Sequence, residues 1–261
     1  MPVFALLALI AYSVSLALII PGLLRKNGGW RRFALLSATL ALICHGVALE
    51  GRIFTDSGQN LSLLNVGSLV SLFICAVMTI VAARDRGWLL LPIVYAFALI
   101  NLAMATLIPN EYITHLENEP GMLVHIGLSL FAYATLIIAA LYALQLAWID
   151  YQLKNKKLTF NGEMPPLMAI ERKMFHITQV GVVLLTLTLC TGLFYLKNLF
   201  TLDNIDKAVL SIAAWFVYIV LLWGHFHEGW RGRRVVWFNV TGAVLLTLAY
   251  FGSRMLQQLL V

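Results

Sequence analysis

Eight apolar runs dominate the chain, and polar residues gather in the short gaps between them. A helix needs about 20 apolar residues to cross the hydrocarbon of a bilayer. The runs lie at about 3–24, 33–54, 61–83, 88–108, 121–151, 174–197, 207–227 and 235–257. Their connections are short, so neighbouring helices run antiparallel. The expected fold is all-α, a polytopic integral membrane bundle of about eight transmembrane helices. It forms a single transmembrane domain over 1–261, with no separate soluble domain and no internal repeat.

Two places refine this pattern. The fifth run is longer than a bilayer needs at about 1.5 Å per residue, so its end is expected to project from the membrane before Lys154–Lys157. Between Thr159 and Lys173 stand Pro165 and Pro166, which do not belong in a helix interior. They are expected to start a short amphipathic helix at the membrane interface. Gly67, Gly127, Gly181, Gly192 and Gly242 lie inside runs, where close helix packing accounts for them.

Composition and charge set the orientation. The chain is 61% hydrophobic and 11% charged, whereas soluble domains carry about 25% charge. Of the 18 basic residues, all but Arg52, Lys197, Lys207 and Arg254 fall in the loops after runs one, three, five and seven. By the positive-inside rule these loops are cytoplasmic, which puts both termini outside. In a bacterial cell that means the inner membrane, with periplasmic N- and C-termini. The net charge of +6 follows from this loop bias and indicates no nucleic-acid partner. The first run has no basic residues before it, so it reads as a retained span rather than a signal peptide. Cys44, Cys75 and Cys190 all lie within apolar runs and imply no disulfide framework.

Histidines are the candidate chemistry. An ionisable residue within a span is costly and points to function. His45 lies about 12 residues into its run, at about 1.5 Å each, in the outer half. His125 stands near the outer end of span five and His115 in the loop before it. His176, His225 and His227 lie at the inner ends of spans six and seven. Haem iron takes axial imidazoles from facing helices in a bundle core. His45 with His125 would bracket a haem in the outer half, and His176 with His225 another near the inner surface. His225 and His227 point about 200° apart on a helix and cannot share a site. Interface histidines also serve as amphipathic belt residues, a role open to His115, His176 and His227. No His-Glu-x-x-His, P-loop or serine-nucleophile turn is present, so no enzyme is expected.

Three ordered blocks carry a resemblance. The first is His125-Ile-Gly-Leu-Ser129, continuing to Tyr133. The second is Glu171-x-x-x-Phe175 with Gly181, Leu185, Thr186 and Gly192. The third is Asp206-Lys207, Trp215-x-x-Tyr218 and Gly229-Trp230-Arg231-Gly232-Arg233. Over about Gly121 to Gly252 the chain resembles the cytochrome c assembly family of CcsA, CcmC and HemX-like haem-handling membrane proteins. Its eight-span, short-loop layout is most similar to the HemX-like branch. The resemblance implies a haem-binding or haem-handling inner-membrane protein, with haem b as cofactor, and an outer haem site at His125.

The chain departs from the family pattern at three points. Lys197-Asn-Leu-Phe-Thr-Leu-Asp-Asn-Ile-Asp206 has no tryptophan where the family carries a tryptophan-rich haem platform. Leu248 to Arg254 has no second outer histidine. The family's inner histidine aligns with Trp223, two residues before His225. These departures leave a second expectation open: an accessory subunit that keeps the scaffold without haem and binds another integral membrane protein within the lipid bilayer.

Overall fold

The computed structural model describes residues 2–24, 29–56, 58–84, 87–109, 111–115, 119–155, 166–195 and 202–252. Among them run α1 (Pro2–Leu24), α2 (Trp30–Ile53), α3 (Leu63–Arg84), α4 (Leu91–Leu107), α5 (Pro120–Lys154), α6 (Leu167–Tyr195), α7 (Leu202–Phe226) and α8 (Arg233–Thr247). A 3₁₀ turn, Trp88–Leu90, leads into α4, and a π-helical turn, Leu248–Gly252, extends α8. With these turns included, 8 helices are long and apolar enough to cross a membrane, as the apolar runs predict. The helices fall into two compact units, α1–α4 and α5–α8.

In the first unit α1 and α2 approach closely because their shared face is built from alanine. Ala5, Ala8 and Ala11 are buried on α1, and Ala34, Ala38 and Ala41 on α2. Small residues let helix backbones meet where lipid supplies no hydrophobic drive. Ser15 then reaches the Ala34 carbonyl at 3.1 Å, and Ser37 the Ala11 carbonyl at 2.7 Å.

One end of this unit carries a feature absent from the helical expectation. β1 (Phe54–Thr55), β2 (Gly58–Asn60) and β3 (Ile113–Thr114) form a small antiparallel sheet in the order β1-β2-β3. It ties the α2–α3 connection to the chain after α4. Gly58 has φ 125, a conformation that L side chains rarely adopt. Arg52 donates to the carbonyls of Ala105 and Thr106, which are among the last of α4 and lack helical partners. At the other end Trp30 and Trp88 meet edge to face at 5.0 Å, and the Arg31 guanidinium lies 5.6 and 5.5 Å from their rings.

In the second unit α5 and α6 lie antiparallel over most of their length. Gly181 faces the Leu136 side chain, and a Cβ there would collide with it. α5 has 35 residues, about 52 Å of helix, against about 30 Å of hydrocarbon. Near its end Lys154 pairs with Asp150 at 2.7 Å, a helical i,i+4 pair suited to a wet environment. The separate amphipathic helix expected after Pro165–Pro166 does not form among the described residues. Leu167–Lys173 instead starts α6, because its buried Ile170 continues the stripe of Met174, Thr178 and Gly181. Pro166 sits just ahead of the first turn, where proline is tolerated, and its carbonyl accepts from Ala169 and Ile170. The rest of that expected helix lies outside the described residues.

The Trp-x-x-Tyr pair locks α7 to two neighbours at once. Trp215 Nε1 donates to Thr186 Oγ1 on α6 at 2.9 Å, and Tyr218 donates to the Asn239 carbonyl on α8 at 3.3 Å. Gly242 makes room for the Tyr218 ring, which a Cβ would approach to 2.6 Å. Asn239 Nδ2 in turn donates to Thr178 Oγ1 at 3.0 Å.

Candidate functional site

His45 is placed on α2 by the alanine face that buries this side of the helix. It is 0% exposed. Its Nδ1 lies 3.3 Å from the Tyr12 hydroxyl on α1, and its Nε2 lies 2.9 Å from Ser68 Oγ on α3. Tyr12 also stands edge to face with the ring at 5.9 Å. Both ring nitrogens are therefore engaged inside a closed core, and neither faces a space where a planar ligand fits.

His125 is different. It lies half-buried near the start of α5, with Nδ1 3.1 Å from Thr191 Oγ1 on α6. Ser129 and Tyr133 follow at i+4 and i+8, on the same helix face. Each is bonded to the end of α8. Ser129 Oγ meets the Tyr250 hydroxyl at 2.6 Å, and the Tyr133 hydroxyl meets Thr247 Oγ1 at 3.0 Å. The Tyr133 and Tyr250 rings stack at 5.6 Å, and Phe251 packs 5.8 Å from Tyr133. Tyr250 and Phe251 belong to the π-helical turn, a distortion common at functional sites. The His-x-x-x-Ser-x-x-x-Tyr block is thus one stripe: an oriented imidazole above a shelf of hydroxyls and aromatic rings. His45 and His125 lie in different units, each with its own partners.

The structure does not bring His176 and His225 together. Phe175, one position earlier, is buried, and its ring stacks on His225 at 3.4 Å with 16° between planes. The adjacent His176 is exposed, because consecutive residues on a helix point about 100° apart. His225 Nδ1 lies 3.0 Å from the Trp230 carbonyl, so this imidazole helps close the end of α7. His227 stacks on Trp223 at 5.8 Å, as an interface residue does.

The Gly-Trp-Arg-Gly-Arg-Arg sequence builds that helix stop. Gly229 has φ 67 and Gly232 φ 66, left-handed conformations that glycine adopts without penalty. The chain folds back so that Trp230 N–H donates to the Gly224 carbonyl at 2.9 Å. The Trp230 ring covers Gly224, and the Arg234 guanidinium sits 4.9 Å from that ring.

Sequence reasoning passed over one further set of residues. Ser62, Asn65, Ser68, Ser71, Cys75 and Thr79 are all buried, and from Leu63 on they line one face of α3. Their spacing of three and four residues is the readable signal, a polar stripe hidden in an apolar run. Thr79 Oγ1 meets the Tyr95 hydroxyl at 2.8 Å, and Tyr95 packs 5.7 Å from Tyr12. At the β-sheet end the stripe meets an open cavity of about 300 Å³, lined by Arg52, Asn60, Ser62, Asn65 and Glu111 among others. All three cysteines are free thiols. No group of three or more metal-ligating side chains occurs among the described residues.

This eight-span bundle, with its His-Ser-Tyr stripe and its glycine-arginine helix stop, matches the family model described as Cytochrome C assembly protein over residues 33–261. The chain belongs to that family. It is 84% identical over 262 aligned positions, spanning the whole of both chains, to the inner membrane protein YpjD of Escherichia coli strain K12, and equally to the protein of that name from strain O157:H7. Over 190 residues, 70% of each chain, it is 30% identical to an Azospirillum brasilense protein described as an uncharacterized 28.8 kDa protein in nifR3-like 5' region. No solved structure matches it.

Proposed function

We propose that this chain holds haem at the Tyr250 end of the second unit, through Nε2 of His125. One observation carries the reading: Thr191 ties Nδ1. A ligating imidazole is usually fixed through its second nitrogen in this way, which orients the first toward the metal. Haem b, where bound, would supply an iron that this imidazole would hold. The chain's own part is to orient the ring, while Tyr133, Tyr250 and Phe251 provide an aromatic shelf and Ser129 secures Tyr250. This is binding and relay rather than catalytic turnover. The positive-inside reading places this end, and both chain termini, on the periplasmic side of the inner membrane.

The test is the visible spectrum of protein purified from haem-replete cells, with a pyridine haemochrome assay for haem b. A Soret band that His125→Ala abolishes and Thr191→Val weakens is the expected result. His176→Ala should leave the band unchanged, because that side chain is exposed on another face. Absence of a Soret band from the wild-type protein would sink the proposal.

No second histidine stands beside His125 among the described residues of this unit, and that favours a second reading. The chain would then be an accessory subunit that keeps the family scaffold and binds another integral membrane protein. Stoichiometric co-purification of a membrane partner with a haem-free chain would support it.

A further inference from the structure

The haem reading uses only the second unit. The first holds an open cavity of about 300 Å³ at its β-sheet end, a size at the small end of ligand pockets. Two opposite charges line it: Arg52, in the last turn of α2, and Glu111, just ahead of β3. No ion pair joins them among the described residues. Arg52 is held in place by its bonds to the Ala105 and Thr106 carbonyls. A guanidinium carries five N–H donors, so these two bonds leave donors over. Closing the end of α4 explains Arg52. It does not explain a carboxylate left unpaired on the same cavity. Ser62 and Asn65 are buried, yet both also line the cavity. Ser62 Oγ accepts from the Asn65 N–H, which leaves the hydroxyl proton to donate elsewhere. Leu64, Ile108 and Pro109 make an apolar part of the wall.

A fixed cation and an unpaired carboxylate on one cavity discriminate by charge. A simple carboxylate would gain Arg52 and be repelled by Glu111. A simple amine would meet the reverse. A molecule with both charges satisfies both, and an unpaired or like charge is what rejects the others. We propose that this cavity binds a small zwitterion of the α-amino-acid type. Its carboxylate lies on the Arg52 fork, a geometry suited to two parallel N–H bonds, with the Ser62 hydroxyl as a further donor. Its ammonium group faces Glu111, and an apolar side chain rests against Leu64, Ile108 and Pro109. The binding is non-covalent, with no bond made or broken. By the positive-inside reading the cavity opens on the periplasmic side.

The experiment is equilibrium dialysis of the full chain in detergent against radiolabelled L-leucine near neutral pH. Saturable one-to-one binding is expected. Two analogues separate the charges: isocaproate lacks the ammonium group, and isoamylamine lacks the carboxylate. Each should compete about tenfold more weakly than L-leucine, or worse, because it leaves one charged group of the site without its partner. Glu111→Gln removes the repulsion, so it should weaken L-leucine and improve isocaproate, an exchange of preference that a misfolded protein cannot give. Arg52→Gln should lose both ligands, while Asn239→Leu in the second unit should bind L-leucine as the wild type does. Absence of saturable L-leucine binding by the wild-type chain would overturn the proposal. Equal competition by isocaproate, or an unchanged preference in Glu111→Gln, would overturn it as well.

Discussion

Gly242 and Asn239 show how finely the second unit is packed at the level of single residues. A Cβ on Gly242 would enter the Tyr218 ring, and overpacking of this kind costs about 1–3 kcal/mol. Gly242→Val is expected to lower the melting temperature in detergent by several degrees, read by a thiol-independent unfolding assay such as intrinsic tryptophan fluorescence. Asn239 is the opposite case. Its Nδ2 is bonded to Thr178, but its buried Oδ1 has no donor. An interhelical bond in a membrane is worth only about 0.6 kcal/mol on average, and an unpaired acceptor offsets it. Asn239→Leu should therefore shift stability by less than about 1 kcal/mol, and a large loss in that same assay would refute this balance. At this scale the sequence supplied depth and little else. It placed His45 deep in a span but not its partners, because Tyr12 and Ser68 are 33 and 23 residues away. It placed His176 and His225 at one end of their helices, yet a single 100° step put Phe175 in the contact instead.

Helices were legible because each span is an apolar run ended by charge. The end of α7 was legible as a stop, and the structure adds its mechanism. Gly229 takes φ 67 and Trp230 folds over Gly224. Forcing a Cβ into the left-handed region costs about 1–2 kcal/mol, so Gly229→Ala should fray this end. Trp230→Ala removes both the ring over Gly224 and its contact with Arg234. Either variant is expected to speed trypsin cleavage at Arg231–Arg234 in membranes opened on the side that exposes this loop, with no new cleavage between α1 and α4. Two elements were not legible. Strands of two or three residues, such as Phe54–Thr55, carry too little pattern to be read. The start of α6 was obscured because Pro165–Pro166 fits a surface helix as well as a helix cap. Only the burial of Ile170, in step with Met174, separates the two.

For the whole molecule, the distribution of lysine and arginine predicts both termini on the periplasmic side. Alkaline phosphatase fused after Val261 should be active, and green fluorescent protein fused there dark after export; the reverse pair would invert the bundle and place His125 toward the cytoplasm. Family membership was legible because its residues are the ones that shape helix ends and packing faces: Trp215, Tyr218, Gly229 and Trp230. The polar core of the first unit was not, because serine and threonine barely lower the apolarity of a span, and α3 keeps an 18-residue window of mean hydropathy 2.4. The two hydroxyl bonds between α1 and α2 also bear on biogenesis. α1 is the most apolar window at 2.7, while α2 reaches only 1.8 and ends with Glu50 and Arg52. Entering the bilayer as a hairpin lets Ser15 and Ser37 find their carbonyls on the partner helix at once. The less apolar second span is then expected to enter the membrane together with the first, as a closed pair rather than as two separate helices.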